Sequence, residues 1–132
     1  MKKQRIYSDA VSEPPDGLWS NAIKVGQQLF ISGMTARGKN LNDIEGDDEY
    51  QQAVTVFRKI RHYVEAAGGV MNDVVNMTIF VTRIENNQEV WRARREFFYG
   101  NFPTCTLVEV SKLARPDILL EIEATAIIGC SE

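Results

Sequence analysis

The segment Leu119 to Ile128 constrains this chain more than any other. Its residues alternate strictly: Leu120, Ile122, Ala124, Ala126 and Ile128 fall on one side, and Glu121, Glu123, Thr125 and Ile127 on the other. Side chains of a strand point to opposite faces in turn, so this is a strand with one apolar and one mixed face. Such a strand belongs to a sheet covered on one side only. The cover is visible upstream. Between Gly46 and Ala67, the residues Ala53, Phe57, Ile60, Val64 and Ala67 recur at three- and four-residue steps, which is the period of a helix with one apolar stripe. Asp47, Asp48 and Glu49 stand at its start, where the helix dipole favours acids, and Gly68-Gly69 at its end.

The remaining elements follow from the same periodicities. Residues 1 to 17 are polar and end in the turn signal Pro14-Pro15-Asp16-Gly17. Leu18 to Val25 and Gln28 to Met34 read as strands joined at Gly26-Gln27. Gly33 to Gly46 reads as a loop. Val74 to Thr82 is a strand rich in β-branched and aromatic residues. A second helix starts at the N-cap candidates Asn86 and Asn87 and runs to about Tyr99 before Gly100 and Pro103. Thr104 to Ser111 is a further strand. The order ββαβαββ predicts an α+β fold, a single mixed β-sheet with two helices on one face, formed by one domain over 1–132. The uncovered face should mix Glu121, Glu123 and hydroxyls with Phe80, Leu107 and Ile127. Plain solvation and an oligomer interface with an acidic cleft both fit such a face.

Composition excludes several functions. Fifteen Lys and Arg against 18 Asp and Glu give a net charge of −3, which does not suit a binder of nucleic acid. No apolar run exceeds three residues, against about twenty for a membrane helix. No apolar segment follows Met1-Lys2-Lys3, so no secretory leader is expected, and Cys105 and Cys130 read as reduced thiols of a cytoplasmic protein. The stretch Gly33 to Asn40 misses a phosphate loop, because Asn40 stands where Ser or Thr must reach magnesium. His62 is the only histidine, so no structural zinc site can be assembled, and the acids around Asp43 to Asp48 lack the pattern of a calcium loop. No metal or other cofactor is expected. Arg92, Arg94 and Arg95 read either as a solvated helix face paired with Glu89 and Glu96 or as the anion-facing edge of a cleft.

At LFISGMTA (29 to 36), VEAAGG (64 to 69), NDVVNMTIFVT (72 to 82), FFYGNFPTCTLVEVSKL (97 to 113) and LLEIEATAII (119 to 128) the chain resembles the RidA/YjgF family of reactive intermediate deaminases, also described as endoribonuclease L-PSP-like. The resemblance implies a chorismate-mutase-like α+β fold and a homotrimer with a small-molecule cleft between subunits. It implies hydrolysis of an enamine or imine acid to a keto acid and ammonia. By that resemblance Glu121 handles the hydrolytic water, and Ser32, Gly33, Trp19, Trp91 and Thr104 lie around the substrate. A tyrosine of the family's first hairpin falls at Trp19 here and an asparagine of its second helix near Trp91, and a further departure removes a charge. Two positions after Pro103, where the family carries an arginine that clamps the substrate carboxylate, this chain has Cys105. A bidentate arginine makes two charge-assisted bonds of about 1.5–3 kcal/mol each, and a thiol offers one weak donor. The expectation is therefore a deaminase of altered substrate preference, unless Arg37, Arg83 or Arg94 replaces the lost charge. A non-catalytic metabolite-binding or regulatory trimer is the alternative. Cys105 as a nucleophile is a third reading, weakened by the ordinary thiol pKa of about 8.5.

Overall fold

The computed structural model describes residues 1–131. Its strands are β1 (Gln4–Arg5), β2 (Ala22–Val25), β3 (Gln28–Met34), β4 (Val74–Val81), β5 (Thr104–Glu109) and β6 (Leu120–Ile127), and its helices are α1 (Glu49–Ala66) and α2 (Asn87–Arg95). The strands form one sheet in the order β1-β2-β3-β6-β4-β5. Every neighbouring pair is antiparallel except β4 and β5, which run parallel. A parallel pair needs a crossover connection, and α2 supplies it. This is the expected single mixed sheet with two helices on one face.

The core lies between that face and the helices. Leu120, Ile122, Ala124 and Ala126 of β6 are buried against Ala53, Phe57, Ile60 and Val64 of α1, joined by Met77, Ile79 and Val81 of β4. Each fully buried Ile, Leu or Phe contributes about 1.5–3 kcal/mol. α1 begins where Asp48 Oδ1 accepts the Gln51 amide at 2.8 Å. The Gln52, Val56, Lys59 and Tyr63 row at four- and three-residue steps runs beside the apolar stripe; Gln52, Val56 and Tyr63 are buried and Lys59 is half-buried.

Several expectations need correction. The first hairpin strand starts at Ala22, not Leu18, because Asp16 to Leu18 form a turn with Gly17 at φ +86°. β1 is a two-residue polar strand without a sequence signal, and Ile6 and Val11 of the supposed polar leader are buried. The second helix stops at Arg95; Phe97 and Phe98 then pack on Phe57 with ring centroids 5.4 and 5.9 Å away. Asn86 occupies the N-cap position of α2 but caps nothing, since its Nδ2 donates to Glu49 at 3.0 Å. Leu107 is not on the uncovered face. The parallel register sets Cys105 beside Met77 and Leu107 beside Ile79, both core residues, so the uncovered face of β5 carries Thr104, Thr106 and Val108. Neither alternate set of β5 is polar enough to reveal its face. A bulge between Val74 and Asn76 in β4, against β6, likewise breaks the simple alternation there.

Candidate functional site

The site is set by a second irregularity, in β3. Against β6 the pairing passes from Ile31–Ala124 to Met34–Ile122, so one extra residue is inserted around Ser32-Gly33. The bulge turns this segment toward Glu121. A Cβ on Gly33 would come within 2.2 Å of Glu121 Oε2 and 2.8 Å of its Cδ. Gly33 is thus required for contact rather than for its backbone angles: only a residue without a side chain lets the carboxyl lie over the strand.

Glu121 projects from the uncovered face of β6 and helps line a cavity of about 480 Å³, within the range of small-ligand sites. Its carboxyl makes no hydrogen bond among the described residues. Burial pushes its pKa above the ordinary carboxylate range, and the neighbouring Glu123 adds to the rise. Trp19 forms part of the wall and is about half exposed (53%). Its indole Nε1 donates to Asn21 Oδ1 at 3.1 Å, and Asn21 Nδ2 donates to Tyr63 Oη at 2.8 Å. Tyr63 Oη in turn donates to Glu13. Burial raises the Tyr63 pKa, and the bond to Glu13 raises it further, so the phenol stays protonated and keeps donating. Ser32 Oγ donates to Ser20 O at 2.6 Å, which ties the bulge to the segment carrying Trp19.

The same cavity is also lined by two basic side chains, Lys59 and Arg37. Lys59 Nζ donates to Thr35 O at 2.8 Å and Arg37 O at 3.1 Å, and Arg37 Nη1 donates to Leu41 O at 2.7 Å. Burial lowers the Lys59 pKa to about 8, opposed by Glu45 and assisted by Arg37. Sequence reasoning named Arg37 but missed Lys59, although the polar row through Gln52, Lys59 and Tyr63 could have revealed it.

The remaining expected site residues lie elsewhere. Cys105 is on the helix side of β5, with β4 between it and β6, and does not line the cavity that holds Glu121. Burial pushes its thiol pKa up, against the pull of a neighbouring Arg94. That guanidinium lies 4.2 Å from the Trp91 ring and 5.7 Å from the Phe102 ring, and its buried Nε has no hydrogen-bond partner among the described residues. Thr104 is on the uncovered face, where its hydroxyl accepts from Asn76 Nδ2 at 2.8 Å and donates to Val75 O at 3.1 Å. Arg83 is engaged elsewhere, in a two-pronged bond to the buried Glu49 at 2.8 and 2.9 Å. Within one chain the expected residues therefore separate: Trp19, Ser32, Gly33 and Glu121 lie around one cavity, Trp91 and Cys105 lie with Arg94 at the α2–β5 edge, and Thr104 stands apart on the uncovered face. No three His, Cys, Asp or Glu side chains among the described residues are grouped to hold a metal.

A six-stranded mixed sheet with two helices on one face defines a class of small α+β proteins. The chain belongs to the RidA/YjgF family: the family model described as Endoribonuclease L-PSP matches residues 10–128. It is 32% identical over 126 residues to a RutC family protein of Pyrococcus abyssi, covering 96% of this chain and 98% of that one. It is 29% identical over 128 residues to the 2-iminobutanoate/2-iminopropanoate deaminase of Dermatophagoides farinae, covering 97% and 99%. Among solved structures, a Pseudomonas aeruginosa protein of unknown function superposes with a TM-score of 0.87 at 39% identity, covering 97% of this chain and 94% of that one.

Proposed function

We propose that this protein hydrolyses a reactive imine or enamine metabolite to a carbonyl compound and ammonia, with a substrate preference altered by Cys105. The observation that carries the reading is Glu121: a carboxyl with raised pKa and no internal partner, held over Gly33 in a ligand-sized cavity. A carboxylate made more basic by burial is a better proton acceptor near neutral pH. In the proposed step Glu121 takes a proton from water as the hydroxyl adds to the C=N carbon. The proton passes to nitrogen, which gives a carbinolamine. Its hydroxyl proton then moves to the amine, again through Glu121, the C–N bond breaks, and ammonia leaves as the carbonyl forms. An enamine first takes a proton at carbon and gives one up from nitrogen to become the imine. The similarity to a 2-iminobutanoate/2-iminopropanoate deaminase supports this chemistry.

The altered preference is argued from position 105. Arg94 is the cation beside Cys105, and Trp91 stacks on it. Of the three arginines considered, it alone stands against the thiol, while Arg83 is held by Glu49. A homotrimer is part of the proposal, because only a second copy can bring a Trp91–Arg94–Cys105 edge to a Glu121 cavity. In that arrangement Trp19 and Trp91 flank the substrate. The free thiols Cys105 and Cys130 suit a reducing cytoplasm, and no helix among the described residues is long and apolar enough to cross a membrane.

Purified protein supplied with imino acids generated in situ should release ammonia and keto acid. Silence with every imine, while an arginine-bearing relative is active in the same assay, ends this reading. The loss of the arginine favours a second one, a metabolite-binding trimer without turnover. The Cys105→Arg variant separates the two: gain of 2-iminopropanoate hydrolysis by the variant means that the catalytic residues are intact, and no gain favours the binding protein.

A further inference from the structure

We propose that Lys59 and Arg37 build, within the Glu121 cavity, a subsite for a second anionic group, and that the substrate is a 2-imino acid carrying a distal carboxylate. The inference rests on reading the cavity as the substrate site. It starts from a side chain to which the proposed hydrolysis gives no task.

Lys59 stands midway along α1, in the half-buried row between Val56 and Tyr63, and its ammonium lines the cavity. An ammonium has three N–H donors. Two are spent on the carbonyls of Thr35 and Arg37, which fixes the direction of the third. No carboxylate pairs with Lys59 among the described residues; Glu45 acts on it only at a distance. Arg37 lines the same cavity and spends one nitrogen on Leu41 O. A half-buried cation whose nearest carboxylate acts only at a distance is stabilised by further negative charge. Holding loop carbonyls alone would not need a full charge, because a neutral amide donor serves as well.

The cavity offers more room than a three-carbon imino acid fills, and it is lined by groups of both signs. Glu121 and Gly33 line it, and so do Lys59 and Arg37, with Met34 and Thr35 between Gly33 and Arg37 in sequence. A longer ligand whose reacting carbon lies at Glu121 therefore shares the cavity with two cations. Carboxylate is the chemistry that matches: it pairs with the remaining ammonium donor and with the guanidinium. Its charge also offsets theirs.

The test is a binding measurement, so it does not depend on turnover. The probes are 2-oxoglutarate, a keto-acid product analogue with a distal carboxylate, and its 5-methyl ester, which keeps the shape and loses that charge. Titration calorimetry of the wild-type protein should show 2-oxoglutarate binding at least tenfold more tightly than the ester, about 1.4 kcal/mol. The ratio should fall to within about twofold in Lys59→Gln and survive in Lys59→Arg. Because Lys59→Gln also loosens the loop carbonyls, a second readout uses protein labelled with 13C at lysine Cε. 2-Oxoglutarate should move the Lys59 resonance, identified by its loss in Lys59→Arg, and the ester should leave it in place. Equal affinity for the two probes in the wild type overturns the subsite, as does an unchanged ratio in a folded Lys59→Gln or an unmoved Lys59 resonance. A tenfold ratio without ammonia release from any imine would instead retain the subsite and reject the hydrolase.

Discussion

At the scale of single residues, the site depends on a carboxyl that is unfavourable where it stands. Glu121 has a pKa raised chiefly by burial. A group whose folded pKa lies above its unfolded value binds more protons when folded, so stability falls as pH rises through that interval. Glu121→Gln should therefore raise the urea midpoint at pH 7, with the advantage over wild type vanishing at about pH 3, below the ordinary carboxylate pKa, where both states hold the proton. An equal midpoint at pH 7 would mean that the carboxyl is not desolvated. Gly33 makes the complementary case. In Gly33→Ala the new methyl must displace the Glu121 carboxyl, and a misplaced catalytic group costs about a hundredfold in rate. The melting temperature should change little, because the displaced atoms are the far end of a flexible side chain. A Gly33→Ala protein that keeps its imine turnover would show that the Glu121 position over the bulge does not matter. Glu121 was legible in the sequence because strict alternation set it opposite the apolar face. The contact that makes Gly33 necessary was not, because a bulge shifts register by one residue without any local signal beyond the glycine itself.

At the scale of elements, the two helices are joined by a polar lock. Glu49, buried at the start of α1, receives Arg83 at 2.8 and 2.9 Å and Asn86 at 3.0 Å. Burial opposes ionisation of Glu49, but these bonds outweigh it and hold its pKa below the ordinary value. Arg83→Met leaves a buried carboxylate short of its main partner and should cost about 2 kcal/mol in urea unfolding at pH 7. The sign follows from the lowered pKa: the contribution is present above the ordinary carboxylate pKa and lost as pH falls through the folded value. The loss in Arg83→Met should thus shrink in acid; a loss of the same size at pH 3 would assign it to packing. Elements with strong periodicity, α1 and β6, were readable almost to their ends. Those defined by distant partners were not. β1 exists because two polar residues pair with β2, and α2 stops early because Phe97 and Phe98 gain more by packing on Phe57 than by continuing the helix.

At the scale of the whole molecule, the uncovered sheet face exposes Phe30 (45%), Val108 (38%) and Ile127 (38%) beside Glu121 and Glu123. Apolar side chains exposed along one sheet face mark an association surface. The proposed trimer would use it, and sedimentation equilibrium should return three times the chain mass. Ile127→Glu places a charge in that surface and should yield monomers that keep their fold and lose turnover. Active monomers would contradict a site shared between copies. The split of the expected residues into two groups was not legible in the sequence, since it follows from the strand order and from the face of β5 that Cys105 takes. The most direct measurement for the whole account is the initial rate of ammonia release from a panel of imines generated in situ, wild type against Glu121→Gln. Release should run well above the spontaneous rate for at least one imine, with a loss of about a hundredfold or more in the variant. Release that is equal in the two proteins would contradict it.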